Sequence, residues 1–86
     1  MDEQKIRKIN EVVKDYFSKN PSVDKIPAKD LMPEFIKAGI FTADHRNGLP
    51  IRKLLRELDK ANRLDKVPNI LPERKAKNTN WYFVKR

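Results

Sequence analysis

Five cations recur at helical spacing between Leu49 and Leu64: Arg52, Lys53, Arg56, Lys60 and Arg63. At about 100° per residue they gather on one side of a helix, nearly half a turn from Ile51, Leu54, Leu55, Leu58 and Ala61. Guanidinium and ammonium groups arrayed this way bind anions, phosphates above all. Only Glu57, at the edge of the polar face, and Asp59, within it, carry negative charge. Pro50 suits the first turn, where a main-chain N–H has no intrahelical partner.

Other chemistry has little to draw on. His45 is the single histidine and sits in a polar loop beside Asp44, without further soft ligands for a metal. Glu34, Glu73 and the other carboxylates form no paired arrangement for acid–base work. Cysteine is absent, which removes disulfides, zinc–thiolate sites and thiol nucleophiles. Gly39 and Gly48 are the only glycines, too few for a phosphate-cradling loop. The expectation is a binding protein and not an enzyme, with no cofactor and no metal.

These side chains belong to a chain of 86 residues, the size of one small domain spanning residues 1–86. Charged residues make up 37% of it and the formal net charge is +8. Residues 1–47 hold nine Lys/Arg against eight Asp/Glu, a net of +1, whereas residues 48–86 hold eleven against four, a net of +7. An excess confined to one half points to a surface, not to general solubility. No apolar run approaches the length of a membrane span, and MDEQKIRKIN has no apolar signal core. A cytoplasmic protein is expected, nuclear if the source is eukaryotic, with no membrane partner.

Three helices and a hairpin must position the basic face. Ile6, Ile9, Val13, Tyr16 and Phe17 predict a first helix over Asp2 to Lys19, stopped by Asn20–Pro21. Val23 to Ile26 is long enough only for a brief extended segment. Ala28 to Ala38 carries Leu31, Phe35 and Ile36 on one side and ends at Gly39. Within it, Pro33 either bends a helix begun at Ala28 or lies in the first turn of one capped by Asp30. Ile40 and Phe41 are expected to fold back beneath it, and Thr42 to Gly48 to form a capped turn. The third helix is expected over Leu49 to Leu64. Beyond it, Pro68 and Pro72 suit an edge strand and Trp81-Tyr82-Phe83-Val84 is the strongest strand signal. Together they predict a hairpin from Lys66 to Lys85, with either Trp81 and Phe83 or Tyr82 and Val84 turned inward.

In the order helix, helix, helix, hairpin, through PAKDLMPEFIKAG, LPIRKLLRELDKANRL and the NWYFV-terminated hairpin, the chain resembles the winged helix-turn-helix family. The resemblance implies an α+β fold, a three-helix winged helix-turn-helix with a C-terminal β-hairpin wing. It also implies that the third helix enters the DNA major groove while the wing meets the backbone or the minor groove. Carried over by position, Arg52, Lys53, Arg56, Lys60 and Arg63 would face the groove, and Arg74, Lys75 and Lys77 would lie on the wing.

Double-stranded DNA is therefore the expected partner, with Arg52 and Arg56 the candidates for reading guanine. A docking module of the same fold is the alternative, its partner acidic or seated on the apolar surface around Phe41. Recognition of double-stranded RNA by shape is a third reading. Trp81, Tyr82 and Phe83 are assigned to packing in preference to base stacking. The sequence leaves the oligomeric state open.

Overall fold

The computed structural model describes residues 2–86. Its architecture is α+β: three helices against a three-stranded antiparallel sheet. Helix α1 spans Glu3–Lys19, with the Asp2 carboxylate accepting from the main-chain N–H groups of Gln4 and Lys5 at 3.0 and 3.1 Å. Such a cap satisfies donors that the helix leaves without partners. Its Ile6, Ile9, Val13 and Phe17 are all buried, as the spacing requires.

Strand β1, Lys25–Pro27, is the extended segment whose brevity hid its role. It leads into a 3₁₀ turn, Ala28–Leu31, and then helix α2, Met32–Lys37. Neither expectation for Pro33 is met in full. The helix neither runs through from Ala28 nor takes Asp30 as its cap; a 3₁₀ segment comes first, and Pro33 lies in the first α turn, where its missing N–H costs nothing. Gly39, at φ +77°, ends α2 as expected. The N–H groups of Gly39 and Ile40 return to the carbonyls of Ile36 and Phe35, and Ile40 is buried beneath the turn.

Helix α3 runs Leu49–Lys60, one turn shorter than its periodicity suggests. Asn62 takes a left-handed φ of +58°, its N–H bonds Asp59 C=O, and the Arg63 N–H bonds Leu58 C=O at 2.8 Å. This left-handed C-terminal cap stops the helix before Arg63 and Leu64. Of the expected apolar face, Ile51, Leu55 and Leu58 are buried, Leu54 is half-buried and Ala61 is exposed. Leu64–Lys66 forms a second 3₁₀ turn instead of the start of a strand.

Strands β2, Ile70–Arg74, and β3, Thr79–Val84, complete the sheet in the order β1-β3-β2. Pro72 lies in edge strand β2, paired with Trp81, where a missing N–H is tolerated. Trp81 and Phe83 point inward, while Tyr82 and Val84 are half-buried on the outer face. Phe83 meets Phe35 edge to face at 6.0 Å, and Phe35 meets Phe41 at 6.1 Å, which joins the sheet to α2 through a chain of rings. The core also contains Leu31, Met32 and Val67.

Candidate nucleic-acid interface

The outward face of α3 presents Lys53, Arg56 and Lys60, all exposed. Their spacing puts them on the side opposite Ile51, Leu55 and Leu58, which anchor the helix in the core. The single acid within that face, Asp59, is already occupied. Its two oxygens accept from the two Nη groups of Arg74 at 2.9 and 3.0 Å, a fork-to-fork pair between α3 and β2. The Arg74 guanidinium holds the Asp59 carboxyl below its ordinary pKa, and Asp59 in turn raises that of Arg74.

Two expected site residues therefore take other places. Arg74 is a fastener between helix and hairpin, not a free wing cation. Arg63 lies beyond the helix cap and is off the helical face, though still exposed. Of the remaining hairpin cations, Lys75 lies 3.4 Å from Glu73, while Lys77 is exposed at the tip and enters no ion pair among the described residues. The tip is closed by the Lys75 N–H, which donates to Asn78 C=O at 2.8 Å. Glu73 is held below its ordinary pKa by a hydrogen bond from Asn80 and then by Lys75.

Arg52 departs furthest from expectation. Instead of projecting from the outer face it is half-buried and donates through Nη2 to the main-chain carbonyl of Arg46. It lines a cleft of about 560 Å³ between the segment before α3, the end of β1 and the first half of β3. Lys29 and Arg46 bring two more cations to the same cleft, and Asn47, Asn78 and Thr79 bring neutral polar groups. Trp81 and Tyr82 form part of its wall, and no carboxylate lines it among the described residues.

Backbone geometry shapes this cleft. Arg46, Asn47 and Gly48 take consecutive left-handed φ values of +52°, +51° and +88°. The turn is held by the Asp44 carboxylate, which accepts from the Gly48 N–H at 2.8 Å. A Cβ on Gly48 would stand 2.5 Å from Lys29 Cβ, so only glycine lets the 3₁₀ turn come this close to α3. None of Lys29, Arg46, Asn47 or Asn78 belongs to a periodic pattern in the sequence. The Asn47–Gly48 dipeptide is the one local signal, since both residues favour left-handed turns.

Phe41 folds back against Phe35 of α2, as expected, and is half-buried there, with the Lys5 ammonium 5.2 Å from its ring centre. Among the described residues, no helix is long and apolar enough to cross a membrane. In comparisons with protein families, curated proteins and solved structures, no family model, protein or structure matches this chain.

Proposed function

We propose that the chain is a winged helix-turn-helix domain that binds double-stranded DNA through α3 and the β2–β3 hairpin. The element order and the β1-β3-β2 sheet are compatible with that arrangement. The observation that carries the reading is the Asp59–Arg74 pair. It neutralises Asp59, one of the two acids on the polar face of α3, and ties the hairpin to the helix. Lys53, Arg56 and Lys60 then stand exposed with Glu57 at their edge, and the hairpin adds Lys75 and Lys77.

Affinity on such a surface comes mainly from phosphate neutralisation and release of counterions. Engagement of about five to seven phosphates gives a slope of log K against log salt of about −4.5 to −6. Arg56 lies nearest the centre of the exposed face and is the residue placed to read guanine. Replacing it with Ala relaxes preference at one base pair at a cost of roughly 1–3 kcal/mol. Replacing Lys60 weakens all sequences alike.

The test is charge reversal of Lys53, Arg56 and Lys60 to Glu, followed by titration with duplex DNA. None of the three is in the core, so the variant folds, and loss of binding is the expected result. A folded variant that binds as tightly as the parent overturns the assignment. The alternative, a docking module, draws on one observation: Leu71, the exposed large apolar side chain, pairs with Tyr82 on the sheet face turned away from the core. Binding that duplex RNA competes for as well as duplex DNA would select the shape-reading alternative.

A further inference from the structure

We propose that the cleft between the left-handed turn and β3 is a seat for one backbone phosphate, and that Arg52 is its anchor and not a reader of bases. The inference rests on the nucleic-acid reading above and gives that reading a second contact, separate from the exposed face of α3.

Three independent features converge there. The first is charge. Lys29, Arg46 and Arg52 reach the cleft from three different segments, and no acid opposes them among the lining residues. Three cations brought together repel one another, and an anion among them relieves that repulsion. The second is the state of Arg52. Its Nη2 is tied to the Arg46 carbonyl, while its Nε–H is shut away from water with no acceptor. The buried Nε–H lies out of reach of a ligand in the cleft, so a phosphate oxygen would meet the guanidinium through Nη1, which makes no hydrogen bond among the described residues.

The third feature is backbone. The ladder partners of β3 on the β1 side end where Pro27 pairs with Tyr82. Alternation along an antiparallel strand turns the peptide groups of Trp81 and Thr79 to that side, since Asn78 and Val84 bond toward β2. Beyond that last pair, the edge of β3 at Thr79 borders the same cleft as the three cations. The amino end of α3 is not the source of attraction. The Gly48 N–H is taken by Asp44, the Leu49 N–H by His45 C=O, and Pro50 has none.

Left-handed Arg46 and Asn47 fit this assignment. Non-glycine residues in that region are strained, and strain of this kind gathers where a ligand is held. Here it aims the Arg46 carbonyl at Arg52, which keeps the guanidinium in the cleft and off the outer face. Base reading is then left to Arg56.

The experiment is an NMR titration of the intact chain with inorganic phosphate and, separately, with a short DNA duplex, following the Arg52 Nε–H signal and the Thr79 and Trp81 amides. Both probes are expected to move these signals. Lys29→Ala with Arg46→Asn keeps the Cβ beside Gly48 and a residue that tolerates left-handed φ. That variant is expected to lose about tenfold in duplex affinity on every sequence and to flatten the salt slope by about one. An Arg52 signal that stays still with both probes overturns the seat, as does a variant with unchanged affinity and slope. If the variant fails to fold, the wild-type Arg52 signal alone decides. Failure of wild type to bind any duplex overturns the functional reading instead, and a phosphate-dependent shift at Arg52 would still uphold the seat.

Discussion

Asp59 and Arg74 meet in a two-bond clasp that fixes the distance between α3 and the hairpin, at 2.9 and 3.0 Å. Both side chains are partly exposed, so the pair adds little to global stability. Its effect is on position. Replacing Arg74 with Ala should leave the melting temperature nearly unchanged while the hairpin amides from Arg74 to Thr79 gain motion in NMR relaxation. The same change should return the Asp59 pKa towards its ordinary value.

Acid should undo the clasp, and the sign follows from the direction of the shifts. Asp59 and Glu73 are held below their ordinary values of 3.8 and 4.5 by Arg74 and by Asn80 with Lys75. Glu3 is lowered in the same way, chiefly by its hydrogen bond from Lys66. A carboxylate with a lowered pKa in the folded state contributes stability in full above its unfolded value and loses it as pH falls through the folded value. Stability is therefore expected to be flat from about pH 5 upward through neutrality and to decline below about pH 4. Thermal melts across that range check it; a decline already present at pH 6 would contradict the assignment.

The two glycines should differ sharply on replacement by alanine. Both have positive φ, but nothing stands within 4 Å of a Cβ built on Gly39, whereas one built on Gly48 meets Lys29 Cβ at 2.5 Å and Cα at 2.8 Å. Gly39→Ala should cost about 1–2 kcal/mol, the price of the left-handed backbone alone. Gly48→Ala should cost more, because the 3₁₀ turn must move off α3 as well. Chemical denaturation of the two variants measures the difference, and equal losses would contradict the close approach.

The buried stripe of α3 should behave as core. Leu55→Ala or Leu58→Ala is expected to cost roughly 2–5 kcal/mol in denaturant unfolding, a large share of what holds a small domain together. Cutting the chain after Leu64 removes Val67, Ile70, Trp81 and Phe83 from the same core and should unfold the remainder.

Elements with a strong local period were legible in the sequence. Ile6, Ile9, Val13 and Phe17 defined α1, and Ile51, Leu55 and Leu58 oriented α3, because burial selects every third or fourth residue there. The end of α3 was not legible. The pattern runs on to Leu64, and only the left-handed turn at Asn62 overrides it. Strand β1 was hidden because three residues carry no periodicity; it exists by pairing with β3, far away in sequence. The inward choice of Trp81 and Phe83 had to wait for that register. The exposed cations Lys53, Arg56 and Lys60 were found from spacing alone. Arg74 was placed correctly on the hairpin, but its partner Asp59 lies on another element. Lys29 and Arg46 were missed because only the packing of Gly48 against the 3₁₀ turn brings them beside Arg52.

The position of β3 between β1 and β2 bears on how the sheet assembles. The flanking strands never touch each other, so neither has a partner until Thr79–Val84 is in place. No stable two-strand intermediate can be made from β1 and β2. Closing β1 onto β3 also joins segments separated in sequence by α2, α3 and β2, a contact of high sequence separation that slows folding. Docking of one strand thus completes the sheet and closes the core over Phe83 together, which favours a cooperative, all-or-none transition.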